Sequence, residues 1–287
     1  MKETTPRPIS SSETLGHKAM DWEQYFQLVK LRDSGRIEEA IRKLTRLAEE
    51  TEDRVGKALA TMAVAAGLRD LGRLADARCK IRETCELLSP QHEFYPRAMH
   101  QTAVLDMDEG DWNGALKRLD EILKRNTSIL QMQEHKDLLE EVQRCRGIAL
   151  AELRRFREAR AILEPYRSEP YEKERTLYYL GACEYELGDF GAAQRDFGEI
   201  LTLEPTPVYR AYAGEYLSRI FYNLGSIFYK KGQIARAKTE FEKSLACPNR
   251  DNSRDETLLK WLISASKALN QVEDAARYSE ILSKLPR

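Results

Sequence analysis

The 287-residue chain is short of most features that announce chemistry. No apolar run approaches the roughly 18–20 residues of a membrane span. The opening stretch, MKETTPRPISSSETLGHKAM, lacks the apolar centre of a secretory signal. Formal net charge is only -1, so a bulk basic field for nucleic acid is missing. The cysteines Cys79, Cys85, Cys145, Cys183 and Cys247 form no CxxC pair, and an odd number argues against a closed disulfide set. The histidines His17, His92, His100 and His135 form no HExxH or similar ligand pair. His100 is read either as a groove residue or as an ordinary surface or core histidine. No catalytic triad and no phosphate loop is found. These absences give the expectation of a cytoplasmic protein that is not an enzyme and needs no metal or cofactor.

Charge is plentiful where function motifs are not. Charged residues make up 32% of the chain and alternate in sign along helical stretches, as on solvated helix faces. Residues 1–20 are polar and rich in Pro, Ser and Thr, and are expected to be a disordered tail. Residues 21–287 are expected to form a single domain.

One pattern then organises the chain. The stretch GDFGAAQRDFGEILTLEP, Gly188–Pro205, places Ala193 and Phe197 four apart on a helix. Equivalents of Ala193 recur at Ala40, Ala77, Ala115, Ala159, Ala237 and Ala275. Three residues before each lies an apolar side chain: Ile37, Leu74, Trp112, Phe156, Phe190, Ile234 and Val272. Five before each stands Gly35, Gly72, Gly110, Gly188 or Gly232, with Arg154 and Asn270 replacing glycine in two units. Four after each comes Leu44, Ile81, Leu119, Leu163, Phe197, Phe241 and the weak Ser279. Glycine at positive φ ends one helix, the apolar residue starts the buried face of the next, and alanine admits a neighbouring helix. Each unit therefore reads as two antiparallel helices joined by a tight turn, and a single hairpin cannot bury its own apolar stripe.

These units resemble tetratricopeptide repeats. The fullest match is Leu177–Leu180–Gly181–Gly188–Ala193–Phe197–Pro205, and the next is Phe221–Leu224–Gly225–Phe228–Gly232–Ala237–Phe241 with Pro248. Leu28, Ala65, Ala103 and Ile263 stand where other units would carry the family's first-helix glycine. The resemblance implies an all-α, right-handed α-solenoid of stacked antiparallel hairpins. About seven repeats and fourteen helices would form it, with a concave and a convex face.

The alanine spacings are 37, 38, 44, 34, 44 and 38. Two spacings thus carry ten residues beyond the 34-residue interval, about 15 Å if helical. The excess falls in Thr127–Gly147 and Thr206–Gly225. Neither has an interior proline, so elongated first helices are expected in the fourth and sixth units, capped at Asn126 or Thr127 and at Thr206. Tyr209, Tyr212 and Tyr216 share one face of the second extension, either packed on neighbouring helices or exposed as a ledge.

In the family, first helices line the concave surface and often hold an extended peptide. Carried onto this chain, that face offers Met62, Arg69, His100 and Met107 in the early units. Later units offer Arg144; then Arg175, Tyr178, Tyr179 and Tyr185; then Arg219, Tyr222, Asn223, Ser226, Tyr229 and Lys230. Tyrosine supplies contact area with a polar tip and arginine a carboxylate-matching fork. The expected partner is another protein or an extended peptide, possibly acidic, with half of the tyrosines filling space between helices. The carboxylate clamp of chaperone-binding relatives is not matched, because Tyr178 and Ala182 stand where it wants lysine and asparagine. The Arg-rich stretch Arg144–Arg160 is interrupted by Glu152 and Glu158, so nucleic acid is not the expected partner. A regulatory peptide-sensing module and a constitutive accessory subunit are the alternatives. The last unit, with Trp261, Leu262, Val272 and Leu282, is expected to offer a surface for self-association or partner docking.

Overall fold

A computed structural model describes residues 19–248, 250 and 252–285. The expected tail therefore lies, through residue 18, outside the described residues, as do His17, Pro286 and Arg287. Met20, placed with the tail on sequence, is buried, and its sulfur sits 3.6 Å from the Thr51 hydroxyl. Among the described residues there are fifteen α-helices, three short 3-10 turns and no strand. The fold is an all-α helical repeat.

Contacts divide the chain into two compact units, Met1–Leu153 and Arg154–Arg287. The first holds α1 (Trp22–Asp33), α2 (Ile37–Glu50), α3 (Arg54–Asp70), α4 (Leu74–Leu87), α5 (Tyr95–Asp108), α6 (Trp112–Arg125), α7 (Thr127–Leu130) and α8 (Lys136–Glu152). The second holds α9 (Phe156–Leu163), α10 (Lys173–Glu186), α11 (Phe190–Thr202), α12 (Pro207–Lys230), α13 (Ile234–Ala246), α14 (Asp255–Ala268) and α15 (Val272–Ser283). Within the first unit each of α1–α6 packs on the next, α8 on α6, and alternate helices touch at α1–α3, α3–α5 and α5–α8. Within the second, each helix packs on the next and α10 also touches α12.

The hairpin turns follow the expected residues. Gly35, Gly72, Gly110, Gly188 and Gly232 all have positive φ, and Arg154 (φ 60°) and Asn270 (φ 58°) adopt the same left-handed conformation. At Gly188 the chain reverses with its N–H bonded to the Tyr185 carbonyl, while the Asp189 N–H reaches back to the Glu184 carbonyl at 2.9 Å. This pair of hydrogen bonds closes the helix and satisfies two of its orphan carbonyls. Asp21, Asp53, Asp111 and Asp189 then cap the helices that follow them with side-chain carboxylates.

The anchor alanines are sealed from solvent. Ala40, Ala77, Ala115, Ala159, Ala193 and Ala237 have no exposed surface, and Ala275 is buried too. One turn on, Leu44, Ile81, Leu119, Leu163, Phe197 and Phe241 are buried, whereas Ser279 is exposed and Tyr278 fills the last unit instead. A methyl added at Gly181 would stand 2.9 Å from the Phe197 ring, and one at Gly225 would stand 2.6 Å from Phe241. In the fifth and sixth hairpins the first-helix glycine is thus matched to an aromatic partner, the fourth pairs Gly147 with Leu163, and the hairpins with Leu44, Ile81 and Leu119 dispense with it.

Charges enter these packing layers in alternate repeats. One residue after the anchor alanine stand Ile41, Leu116 and Gln194 in repeats one, three and five, but Arg78, Arg160 and Lys238 in repeats two, four and six. Each of the cations reaches carboxylates of the next repeat. Arg78 bonds Asp106 (2.9 Å) and Glu109 (2.7 Å), Arg160 lies 3.8 Å from Glu184 and 3.7 Å from Asp189, and Lys238 pairs with Asp274.

The two extensions differ from each other. The sixth-unit helix α12 is elongated as expected, at 24 residues, with Thr206 at its N-cap position and Pro207 opening it. The fourth-unit segment is not one long helix. It folds as the four-residue α7, a turn through extended Met132, and then α8 of 17 residues, no longer than α3. Leu130, His135 and Leu138 are buried in this arrangement. Tertiary burial of those side chains outweighs the helical propensity of the segment.

Two stability outcomes follow from this packing. Ala193→Leu inserts volume at a sealed crossing and should cost roughly 1–3 kcal/mol, read as a lower urea midpoint. Ala235→Leu, on an exposed position of α13, should leave the midpoint nearly unchanged. Arg154→Gly should stabilise the fold by about 1 kcal/mol, read as a higher urea midpoint, because a non-glycine residue in the left-handed region carries a penalty of that order.

Candidate functional site

The expected binding residues fall into three environments. Arg144 is buried in α8 of the first unit, so its guanidinium is not part of an exposed groove. The reason lies in the register: α8 carries Val142, Cys145 and Ile148 into the core, and Arg144 sits among them. His100 is likewise buried in α5, with Nδ1 3.8 Å from a Glu141 carboxylate oxygen and Nε2 without a hydrogen-bond partner among the described residues. Burial, helped by Arg97, Arg69 and Arg144, pushes its imidazole down to about 3, so the ring is neutral in the fold. Met62 and Met107 are buried as well.

The second environment is an aromatic cluster built on α10 and roofed by the extension of α12. The Tyr178 ring lies 5.8 Å from Tyr209, 5.1 Å from Tyr212 and 6.1 Å from Tyr216, and 5.0 Å from Tyr179. Tyr216 stacks flat on Phe197 at 4.6 Å and meets Tyr185 edge-on. Burial raises the phenols of Tyr209 and Tyr216 above their ordinary range. The Tyr209–Tyr216 segment is therefore packed down onto the preceding repeat, and what it leaves exposed is Tyr212 with Val208 one turn before it. Asn223 donates its amide N–H to the Tyr185 hydroxyl at 3.0 Å, tying α12 to α10. Arg175 pairs with Glu172 at 3.4 Å.

The third is a small cleft where α12, the end of α13 and the start of α14 meet. Glu215, Ser218, Arg219 and Tyr222 line it from α12, Ser244 from α13, and Arg250, Arg254, Asp255 and Leu258 from the loop and α14. The Ser218 and Ser244 hydroxyls lie 3.0 Å apart and each also bonds the other's carbonyl. Arg219 pairs with Glu215 and lies over the Tyr216 ring. Arg250 is held by Asp255 and by the Leu245 carbonyl, while Arg254 has no ion-pair partner among the described residues. Three arginines against two carboxylates leave the cleft cationic. Tyr222 contributes its edge here while its ring packs 6.0 Å from Phe241. Tyr229 packs on Trp261 at 4.8 Å, and Ser226 and Lys230 lie further along the same helix, Lys230 exposed.

The cleft joins Arg219 and Tyr222, which the repeat frame had singled out, to Ser218, Ser244, Arg250 and Arg254, which it had not. Arg250 and Arg254 lie between repeats, where helical periodicity carries no signal. The Arg-rich stretch disperses into pairs: Arg146 with Asp120, Arg155 with Glu158, Arg160 with Glu184 and Asp189. All five cysteines are thiols, Cys145 and Cys183 buried and Cys79 exposed, and burial pushes Cys183 up to about 12. Among the described residues no helix is long and apolar enough to cross a membrane.

Residues 218–246, which span the second half of α12 and all of α13, match a family model described as tetratricopeptide repeat. This is a tetratricopeptide-repeat fold. Two solved structures agree with it at low identity. One is the apo form of the quorum sensor NprR from B. thuringiensis, 15% identical, with a TM-score of 0.56 over 89% of this chain and 73% of that one. The other is the C-terminal part of a TPR repeat-containing protein from Cytophaga hutchinsonii, 13% identical, with a TM-score of 0.56 over 90% and 93% of the two chains. No curated protein matches the chain.

Tyr216→Ala should destabilise the tetratricopeptide fold by roughly 2 kcal/mol, seen as a lower melting temperature, because it removes the stacked partner of buried Phe197. For His100 the folded value of about 3 lies below the ordinary 6.5. The stability tied to its neutral form is therefore present above about pH 6.5 and is lost as pH falls towards 3. His100→Leu should flatten that acid limb of the melting-temperature profile relative to the parent protein.

Proposed function

We propose that this chain is a non-enzymatic interaction module that holds an acidic peptide or protein segment along the first helices of the second unit. The observation that carries the reading is the cationic cleft of Arg219, Arg250 and Arg254, next to a surface of tyrosine edges on α10 and α12. A carboxylate entering the cleft meets guanidinium forks suited to planar oxygen pairs. Tyr179, Tyr212 and Tyr222 offer apolar contact with hydrogen-bonding tips beside it, and Asn223 and Ser226 add neutral polar contacts. Tyr178, Tyr185 and Tyr216 support this surface from below. A cytoplasmic setting suits free thiols and a chain of this composition.

The test is selection from a random peptide library at low salt, followed by affinity measurement on the selected peptides. Enrichment of Asp and Glu is expected. The double variant Arg219→Ala, Arg254→Ala should weaken the selected peptides by about thirtyfold, the scale of a hot-spot loss of about 2 kcal/mol. The difference between parent and variant should shrink at high salt, because exposed charge contacts are screened. Selected peptides without acidic residues, or affinities indifferent to the double variant, would overturn the reading.

A further inference from the structure

The fifth repeat buries two acids against each other. Glu184 of α10 and Asp196 of α11 are both sealed from solvent. They occupy the positions nine before and three after the anchor alanine Ala193. In the third repeat those same positions hold Asp106 and Arg118, which form an ordinary ion pair at 2.5 Å. Where the third repeat sets a carboxylate against a guanidinium, the fifth sets a carboxyl against a carboxyl.

One oxygen of each acid is accounted for. Arg167, just after the 3-10 turn Glu164–Tyr166, donates to Glu184 Oε1 at 2.7 Å and to Asp196 Oδ1. The other oxygen of each, Glu184 Oε2 and Asp196 Oδ2, is buried with no donor among the described residues. Both side chains are thus tied to the one Arg167 guanidinium. Two orphaned acceptors on acids that share one guanidinium are satisfied together by a single proton, carried by one carboxyl and donated to the other.

The surrounding charges do not remove this need. From α9, Arg160 approaches Glu184 at 3.8 Å and is shared with Asp189. Arg167 is shared with Glu164 at 3.0 Å, and Arg195 also acts on Glu164. From α10, the buried Cys183 thiol stays neutral. Three guanidiniums therefore serve four carboxyl groups, Glu164, Glu184, Asp189 and Asp196, and only Arg160 and Arg167 reach the buried two.

We infer that Glu184 and Asp196 hold one proton between them in the folded protein, and that releasing it to solvent loosens the α10–α11 hairpin, so that the second unit is proton-sensitive. Burial is the first cause and Glu184 the next in raising the Asp196 carboxyl from its ordinary 3.8 to about 7. The folded state then binds more protons than the unfolded chain between about pH 4 and 7. Its stability falls as pH rises through that window and levels off above it. This sense is opposite to that of His100.

The experiment is a melting-temperature profile from pH 5 to 8.5 for the parent protein and for Asp196→Asn, whose amide can donate to Glu184 at every pH. The variant should gain several degrees over the parent at pH 8 and lose that advantage at pH 5. Parallel profiles for the two proteins would overturn the inference. A carbon-13 titration of the parent's side-chain carboxyls tests it without any variant. The Asp196 carboxyl should titrate near neutrality, and titration of every acid below about pH 5 would equally overturn it.

Discussion

Everything in this structure depends on how closely two helices can approach at one residue. The anchor alanines put a single methyl at each crossing, and six of them have no exposed surface at all. That closeness lets the residue one turn later reach across the layer, and lets neighbouring hairpins share a core that neither could build alone. Positive-φ turn residues keep the two helices of a hairpin in the same register, so the crossing recurs at the same place in repeat after repeat. The fold is long-range order made from a short-range steric condition.

The sequence exposes this condition because it is local. Glycine or its stand-in, an apolar residue two later and alanine three beyond that lie within one turn and a helix start, and each has one geometric meaning. Even Arg154 and Asn270, which break the glycine pattern, hold the left-handed conformation that their position demands. The fourth-unit insertion was not legible in the same way. Nothing in SILQMQEHK contains a glycine or proline to mark the break at Met132. The break exists because it allows Leu130 and His135 to be buried, and burial is a property of the neighbours.

The candidate site was half legible for a related reason. Helical spacing placed Arg219, Tyr222, Asn223 and Ser226 on one face of α12; in the structure Arg219 and Tyr222 line the cleft, whereas Asn223 turns to Tyr185 of α10. Spacing could not distinguish the tyrosines that face outward from those beneath. Tyr178 is covered because α12 is long enough to lay Tyr209, Tyr212 and Tyr216 over it. Arg250 and Arg254 join the cleft from a connection whose course is fixed by the packing of α13 on α14. Buried Glu184 and Asp196 look in sequence like ordinary acids of a solvated helix face; only their shared dependence on Arg167 sets them apart.

The alternation of charged and uncharged residues beside the anchor alanines gives the array a coarser grain than the hairpin. Arg160 is made for a successor that carries Glu184 and Asp189, whereas Gln194 is followed by a repeat with Phe228 at the place of Glu184. Excising the fifth hairpin alone would deliver the Arg160 guanidinium to an aromatic ring in place of its carboxylates. Excising the fifth and sixth together would hand it to a repeat bearing Ser266, Gln271 and Asp274, polar groups like those that receive Lys238. Shortening or lengthening this chain without orphaning a charge is therefore a matter of adding or removing couplets, and the natural module for recombination is two hairpins rather than one.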